Sequence, residues 1–373
     1  MKSIGVYIHI PFCIRKCNYC DFYSCSDNSP SLMHAYTEEL CRRIKQFQEG
    51  FGRRRADTVY FGGGTPTLLP IQCFERFMYT LNDTFLIADD AEITVECNPA
   101  TINKEGFEAL RSLGVNRLSI GLQSADDGEL RELGRVHNFS EFCESFAAAR
   151  EAGFDNISVD LMYGIPNQTL QSFENTLREV CRLSPEHISA YGLRIEEHTA
   201  FARKKSLLTL PDEDTEYLMY CLCEEILKEN GYNRYEISNF AKEGRESKHN
   251  LRYWQLEDYI GFGVAAHSCV DGKRFGNARH IKAFLHGEDI TEECEEISPK
   301  EQLYEYVMLG LRLEKGIDLS EYEKLAGESF SQTFPQTEEM LRMGYFKEEN
   351  GHISFTNKGF FVSNTILADM LIF

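Results

Sequence analysis

The chain has 373 residues, which is long for a single domain, so we expect one large domain and a smaller one. Its 39 basic and 59 acidic side chains give a formal net charge of −20, which disfavours a nucleic-acid partner because it opposes counterion release. No stretch reaches the roughly 18 apolar residues of a membrane span, and the start is too short for a secretory signal, so we expect a cytoplasmic protein in a reducing compartment.

Short β-rich runs alternate with amphipathic helical segments over the first half of the chain. The runs predict strands over 3–10, 57–63, 91–97, 116–124, 156–164 and 186–193, with helices over 33–47, 74–85, 142–153 and 171–183. Strand and helix in alternation predict a parallel sheet. Six units are too few for a closed eight-stranded barrel, so we predict an open, partial (β/α)6 barrel whose functional rim lies at the strand carboxyl ends.

Beyond about residue 200 the pattern changes. It predicts a capped helix over 211–231, an acidic linker over 287–299, helices over 301–313 and 335–344, a hairpin at Asn350-Gly351 and a final helix over 359–371. Helices followed by a hairpin are typical of an α+β, winged-helix-like domain. We therefore divide the chain into a barrel (1–240), a connecting segment with the HNLRYW run (241–298) and a C-terminal winged-helix-like domain (299–373).

Three cysteines, Cys13, Cys17 and Cys20, follow the first predicted strand with the spacing C-x3-C-x2-C. Three thiolates on one loop can hold three irons of a [4Fe–4S] cube, whereas complete protein ligation takes four cysteines. The iron left open suits S-adenosylmethionine (SAM), whose amino and carboxylate groups can chelate it. Zinc and unligated thiols are the alternatives. No second cysteine pair follows as zinc knuckles require, although Cys25 could serve as a fourth ligand.

Polar groups follow the other predicted strands on the same rim. The glycines of FGGGTPT let a backbone approach a ligand closely and could cradle the SAM amino group, or they form a tight turn. Glu96 and Asn98 offer acceptors for an ammonium or a ribose, or they cap the next helix. Asp160, within an apolar strand, is costly to bury unless it is bonded. Gln123 and Arg135 add polar groups, and Arg135 could pair with a carboxylate or be a solvated surface charge.

The run HNLRYW at 249–254 is a second candidate site. His249 could be an axial ligand to haem iron, with Tyr253 and Trp254 providing flat aromatic surface for a porphyrin. A histidine beside aromatic residues is also commonly a hydrogen-bonded structural residue. His267 in GVAAHS is a further candidate with the same structural alternative.

The motifs YIHIPFCIRKCNYCDF, GGGTPT, ECNP, GLQS, LGRVH, VDLMYGIP and HNLRYW run in this order over nearly the whole chain. In this respect the chain resembles the group of radical-SAM proteins that comprises oxygen-independent coproporphyrinogen III oxidase and the HemW-type haem chaperones. The resemblance implies that the cluster-bound SAM contacts Tyr7, Gly63 and Glu96. It also implies an adjacent site, which holds a second SAM in the oxidase, lined by Tyr19, Gly64, Thr65, Gln123, Arg135 and Asp160.

Three features favour the chaperone branch of this group. Asp21-Phe22 follows Cys20 where the oxidase pattern continues with C-x-C, and only 12 residues precede Cys13, so we expect no covering N-terminal extension. The HNxxYW motif, which carries the haem-binding histidine in the chaperones, is present with His249. One departure is GFGVAAHS, where the chaperones tend to have GxGPGAHS.

The resemblance therefore implies a carrier that binds haem, a [4Fe–4S] cluster and SAM, and delivers haem to respiratory haem proteins. Recipients at the membrane and a homodimer are left open. The alternative hypothesis is an enzyme, the oxidase, which decarboxylates coproporphyrinogen III by radical-SAM chemistry. A third is a radical-SAM enzyme that acts on another small molecule.

Overall fold

The computed structural model describes residues 3–371. Its strands are Ile4–Ile10 (β1), Arg55–Gly63 (β2), Leu86–Cys97 (β3), Arg117–Gln123 (β4), Ile157–Tyr163 (β5), His187–Gly192 (β6), Asn233–Glu236 (β7), Asn239–Ala241 (β8), Tyr259–Phe262 (β9), His267–Val270 (β10), Lys273–Asn277 (β11), Thr291–Glu296 (β12), Ile317–Asp318 (β13), Phe346–Glu349 (β14) and His352–Phe355 (β15). The first and last predicted domains include residues 1, 2, 372 and 373, which lie outside the described residues.

The helices complete the first half as β/α units and dominate the last quarter of the chain. They are Pro30–Phe51 (α1), Ile71–Thr84 (α2), Lys104–Ser112 (α3), Asp127–Glu132 (α4), Phe139–Glu151 (α5), Leu170–Leu183 (α6), Ala200–Arg203 (α7), Glu213–Glu229 (α8), Lys248–Trp254 (α9), Ile281–Leu285 (α10), Pro299–Gly310 (α11), Leu319–Ala326 (α12), Phe330–Thr333 (α13), Thr337–Arg342 (α14), Asn357–Phe361 (α15) and Ser363–Met370 (α16). No helix between residues 3 and 371 combines the length and apolarity that crossing a bilayer requires.

The larger sheet has 12 strands in the order β12-β11-β10-β9-β1-β2-β3-β4-β5-β6-β8-β7. Strands β1 to β6 are parallel neighbours in chain order, which confirms the six predicted units. Strand β9 adds a further parallel strand beside β1, and β10 to β12 continue that end antiparallel. At the other end β8 and β7 pair antiparallel with β6. The segment predicted as a connection therefore supplies strands to the main sheet.

The two faces of β1 show why these residues build a barrel wall. Val6 and Ile8 are fully buried on one face, while Tyr7 and His9 alternate with them on the other. Across β3 and β4 the register pairs Glu96 with Ser119. Polar side chains of neighbouring strands therefore face the barrel interior, whereas the apolar side chains on the other face pack against the helices.

The acidic run over 287–299 is not the linker predicted from its charge. Its residues 291–296 form β12, which pairs antiparallel with β11 at the edge of the main sheet. All six side chains are exposed, and Lys273 and Arg274 of β11 form ion pairs with Glu296 and Glu295, each at 3.2 Å. An edge strand can remain acidic because only its backbone needs a partner, and the charge discourages pairing with a further strand.

The C-terminal part packs helices α11 to α16 around a small antiparallel sheet of order β13-β15-β14. Asn350 and Gly351 join β14 to β15 with φ of 51° and 75°, as the predicted two-residue hairpin requires. The α/β fold with a smaller α+β domain is therefore confirmed. The final predicted helix is two helices, because the backbone leaves the helical region at Val362. The boundaries at 240 and 298 stay a prediction.

Candidate functional site

The cysteine loop follows β1 directly and closes on itself through Cys25. The Cys13 N–H donates to the Cys25 carbonyl at 3.0 Å, and the Cys25 N–H donates to the Pro11 carbonyl at 2.6 Å, so Phe12 and Cys25 form a short bridge. The Cys25 thiol donates to the Asp27 carbonyl at 3.9 Å. Cys25 thus helps to close the loop through its backbone, and its sulfur has a local partner.

Cys13, Cys17 and Cys20 are free and half-buried in this loop. Burial raises the pKa of Cys13 and raises that of Cys20 to about 11, and the nearby Cys17 thiol raises both further. The Thr65 hydroxyl donates to Cys13 Sγ at 3.7 Å, and Arg135 Nη1 donates to Cys17 Sγ at 3.6 Å. These donors stabilise thiolates, which are the form that binds a metal, so binding would release protons.

The spacing of the thiols bears on the kind of metal centre. In the part of the chain that the structure describes, no three His, Cys, Asp or Glu side chains converge closely enough to hold one metal ion. An iron–sulfur cube does not require the three thiols to reach one metal ion, since each cysteine binds a different iron.

The glycine-rich run docks against the cysteine loop. The Gly64 N–H donates to the Ile10 carbonyl at 2.8 Å, and the Thr65 N–H donates to the Phe12 carbonyl at 2.7 Å. A Cβ on Gly64 would lie 2.6 Å from the Phe12 oxygen, which is closer than side chains are found. Glycine is required here by the close approach of two backbones, and these two amides are already used by the loop.

Glu96 is a half-buried carboxylate at the end of β3. Its Oε1 accepts from the Tyr60 hydroxyl at 2.9 Å and its Oε2 from the Gly63 N–H at 3.0 Å. Burial raises its pKa to about 7, assisted by the negative charge of Asp160. Within the described residues no lysine or arginine forms an ion pair with it. A bound group with N–H donors or positive charge would offset its desolvation.

Arg135 makes several hydrogen bonds in the opposite wall of the site. Its Nη2 donates to the Gly121 carbonyl at 2.6 Å and to Asn98 Oδ1 at 2.7 Å, besides the contact of Nη1 with Cys17. It is therefore not the solvated surface charge that was one alternative. Gln123, the last residue of β4, has φ of 75°, and a non-glycine residue in this region is strained.

Asp160 reaches the same space from β5. Both of its carboxylate oxygens accept from the Ser119 hydroxyl, at 3.0 and 3.1 Å. Burial raises its pKa, while hydrogen bonds and the charge of Arg117 act against the rise. The carboxylate expected to need bonding partners therefore has them.

These groups surround one cavity of about 450 Å³ at the rim of the barrel. The predicted residues that line it are Cys13, Cys17, Tyr19, Gly63, Gly64, Glu96, Gln123, Arg135 and Asp160. Thr65 lies beside the cavity, where its hydroxyl donates to Sγ of the lining residue Cys13. Tyr7 lies behind it, donating to or accepting from His9 Nδ1 at 3.1 Å and stacking beside Tyr60. The barrel thus brings together residues from five parallel strands and their loops.

Arg117 is a member of the cavity wall that the sequence reasoning missed. It is 2% exposed and is the largest fully buried side chain among the described residues, within which its Nε has no hydrogen-bond partner. An arginine inside the predicted strand over 116–124 was the signal that could have identified it, because an arginine is rarely buried without a partner.

The HNLRYW run forms α9 because its start is capped twice. The Ser247 hydroxyl accepts from the Asn250 N–H at 3.3 Å. The carboxylate of Glu92, which projects from β3, accepts the N–H groups of Lys248 and His249, each at 3.0 Å. A negative charge at a helix N-terminus is favourable, so Glu92 fixes α9 against the barrel.

His249 lies in the barrel interior and is 1% exposed. Its Nδ1 is 2.8 Å from the Thr58 hydroxyl and its Nε2 is 2.8 Å from the Tyr253 hydroxyl, with Tyr60 stacked at 5.1 Å between ring centroids. Burial lowers its pKa to about 3. In this conformation both ring nitrogens are bonded, so iron could be ligated only if one partner were displaced. His267, the other candidate, is exposed on β10.

Comparison with known families agrees with this geometry. Residues 7–180 match the family model of the Radical SAM superfamily, and residues 297–362 match the HemN C-terminal domain. Heme chaperone HemW of Bacillus subtilis is 35% identical over 100% of this chain and 99% of its own length. Heme chaperone HemW of Escherichia coli is 33% identical over 98% of each chain.

Among solved structures, coproporphyrinogen III oxidase (HemN) from Escherichia coli, described as a radical SAM enzyme, superposes with a TM-score of 0.86. It covers 99% of this chain and 90% of the oxidase chain, at 24% sequence identity. At this identity the likeness establishes a shared fold and no shared activity.

Proposed function

Because the chain belongs to the HemW family of radical-SAM proteins, we propose that it is a haem chaperone, which binds haem and passes it to respiratory haem proteins. The observation that carries this proposal is similarity to proteins named heme chaperones along the full chain, at 35% identity. The cavity of polar side chains beside three free cysteines supports it, since a radical-SAM protein needs a site of this chemistry.

Cys13, Cys17 and Cys20 would hold a [4Fe–4S] cluster, with SAM as the ligand at the fourth iron. When bound, the pair supplies one-electron chemistry that the side chains cannot provide. The chain itself contributes hydrogen bonds to the sulfurs from Thr65 and Arg135, which stabilise the thiolate form.

Glu96 would accept a hydrogen bond from the amino group of SAM, since it is a half-buried carboxylate without a cationic partner among the described residues. Tyr7 and Gly63 flank it. The adjacent part of the cavity, proposed as the place of a second SAM, is lined or bordered by Tyr19, Gly64, Thr65, Gln123, Arg135 and Asp160. Because the amides of Gly64 and Thr65 are used by the cysteine loop, their part is to shape the cavity.

His249 is our proposed haem ligand. The aromatic residues around it and its neutral imidazole favour metal binding, since an uncharged ring has a lone pair to donate. The Tyr253 hydroxyl occupies Nε2, so haem binding has to displace it. A cytoplasmic location, which we expect from the sequence, belongs to the same proposal. Recipients at the membrane and a homodimer also belong to it and are supported by the family resemblance alone.

The oxidase is the second candidate, and the structure gives it less support, because 24% identity conveys only the fold. The two functions differ in what they do with tetrapyrroles. Anaerobically reconstituted protein should bind haemin stoichiometrically, and should form no protoporphyrinogen from coproporphyrinogen III in the presence of SAM and reductant. Multiple turnovers of decarboxylation would overturn the chaperone proposal.

A further inference from the structure

A second, larger cavity lies between the barrel and the C-terminal helices. Its volume is about 710 Å³, which is within the usual range of roughly 300–1,000 Å³ for pockets that hold organic ligands. Walls come from the end of β6, from α8 and α9, and from α15 and α16. The residues shared with the cofactor cavity are Tyr191, Gly192, Arg194 and Asn250, so the two spaces adjoin.

Aromatic rings form much of this second cavity. The rings belong to Tyr163, Tyr191, Tyr220, Tyr253, Trp254, Phe360 and Phe361. They come from elements far apart in the chain, and Tyr220 meets Phe361 at 6.1 Å between centroids. Flat aromatic surfaces on several sides favour a ligand that is itself a large planar conjugated ring.

Two arginines, Arg194 and Arg312, also line the cavity beside three glutamates. Among the residues that the structure describes, neither arginine forms an ion pair. Arg312 Nη2 donates to Asn364 Oδ1 at 2.8 Å, and its Nε is buried with no hydrogen-bond partner among the described residues. Burial and the charge of Arg194 lower the pKa of Arg312, and the charge of Glu236 raises it. Two adjacent guanidinium groups without an ion pair can each receive a carboxylate of a ligand.

We propose that this second cavity is the tetrapyrrole site, with its aromatic walls against the macrocycle and with Arg194 and Arg312 each receiving one ring carboxylate. The inference rests on the proposed haem-carrier function and locates its cargo. Guanidinium groups bind carboxylates in charge-assisted, bidentate geometry, which explains a pair of arginines where the ligand has two carboxylates.

Tyr253 connects this site to the proposed haem ligand. Its ring lines the cavity and its hydroxyl lies 2.8 Å from His249 Nε2. Movement of this one side chain would therefore open His249 to a metal held in the macrocycle. The cavity and the histidine are separate observations that meet at the same residue.

The test compares haemin with haemin dimethyl ester, whose carboxylates are blocked, on the full-length protein. Wild type should bind haemin at least about tenfold more tightly than the ester, since a charge-assisted hydrogen bond contributes on the order of that factor. In the Arg194→Gln/Arg312→Gln variant haemin affinity should fall to that of the ester, and ester affinity should stay unchanged.

Arg182→Gln on the exposed face of α6 is the matched control and should keep the wild-type preference. Arg194→Gln alone should lose part of it, and this exposed residue can be replaced without disturbing the core. Unchanged haemin affinity in the double variant would overturn this site while leaving the chaperone function intact. Failure of wild type to bind haemin would overturn the proposed function and this site together.

Discussion

Two titratable side chains, Glu96 and His249, define the chemistry of the barrel interior. Desolvation moves the pKa of Glu96 up to about 7 and that of His249 down to about 3. At neutral pH the imidazole is therefore uncharged and the carboxyl is about half protonated, although each retains hydrogen-bond partners. A carboxyl of this kind gains from a donor-rich ligand, and a neutral imidazole can donate a lone pair.

The affinity for SAM should depend on the ionisation of Glu96. The ionised carboxylate is a stronger acceptor for the SAM amino group than the protonated acid, so the ratio of wild-type to Glu96→Gln affinity should rise between about pH 6 and 8. At the upper pH we expect about a tenfold difference or more. Equilibrium dialysis on reconstituted protein measures the SAM affinity of both proteins. Protonation of SAM itself affects both affinities equally and therefore cancels in the ratio.

Glu196→Gln is the control, because this glutamate lines the same cavity but is exposed. Its ratio to wild type should stay flat with pH. A flat ratio for Glu96→Gln as well would show that Glu96 does not accept the SAM amino group.

His249 should make the protein sensitive to mild acid. The folded chain holds it neutral down to a pKa of about 3, whereas the unfolded chain takes up the proton near 6.5. Wild type should therefore lose about 1.4 kcal/mol of unfolding free energy per pH unit below 6.5 through this residue. In His249→Gln this loss is absent, so the stability advantage of wild type should shrink as pH falls.

Denaturant unfolding at several pH values checks this, with His34→Gln as an exposed control that changes nothing. An advantage of wild type that stays constant between about pH 7 and 5 would contradict a buried, neutral His249.

At the scale of elements, the functional rim depends on the contact between the cysteine loop and the turn after β2. Two backbone hydrogen bonds join them, and Gly64 is placed where a side chain would strike backbone atoms. The loop is therefore positioned by its neighbour before any cluster binds.

Gly64→Ala should prevent normal assembly of the iron–sulfur site. The added Cβ would lie 2.6 Å from the Phe12 oxygen, so the loop has to shift. After anaerobic reconstitution we expect iron content to fall to less than about half of wild type, because the loop that carries the three cysteines is displaced from its position beside the turn after β2. Gly50→Ala, near the end of α1 with open space around its Cβ, is the control and should reconstitute fully. Equal iron in both variants would show that the contact is dispensable.

The elements that could be predicted are those determined by local pattern. The six parallel strands follow from apolar runs alternating with amphipathic helices, and Asn350-Gly351 identified a hairpin. The pairing of β12 with β11 could not be predicted, since a charged run has no local sign of the strand that it joins. The same holds for Glu92 and α9, which are 157 residues apart where Glu92 meets the His249 amide.

At the scale of the whole molecule, Arg234 connects the barrel to the C-terminal part through ion pairs and a hydrogen bond. Its side chain is 3% exposed and forms ion pairs with Glu314 at 2.8 Å and Glu224 at 3.6 Å. Its Nη2 donates to Asn357 at 2.7 Å, and its guanidinium lies 4.5 Å from the ring centroid of Phe360. One residue of β7 thus positions α15, which is a wall of the second cavity.

Arg234→Met should lower the unfolding free energy by about 3 kcal/mol, because Glu224 loses its cation, Glu314 keeps only Lys347, and Asn357 loses a charged donor. The same change should weaken haemin binding, since the wall formed by Phe360 is no longer held. Arg182→Met, which breaks an exposed pair with Glu179, should change stability by less than about 1 kcal/mol. A loss of stability without any change in haemin affinity would show that Arg234 stabilises the fold but does not shape the second cavity.

The gathering of Glu96, Gln123 and the cysteines was predictable, because each lies at or just beyond the carboxyl end of a strand and parallel strands end at one rim. The second cavity was not predictable, since β6, α9 and α15 meet only in the folded chain. Arg312 shows the same limit, because its burial depends on the elements that pack around it, and the sequence alone does not give these.

Iron and labile sulfide analysis of anaerobically reconstituted variants tests the central claim, a cube held by three cysteines, most directly. Wild type and Cys25→Ala should each contain about four irons and four sulfides per chain. Cys13→Ala, Cys17→Ala and Cys20→Ala should each lose most of both. A wild type without sulfide, or a Cys25→Ala variant as depleted as the other three, would contradict a cluster that is held by three cysteines and has one open iron. The proposed function depends on this cluster.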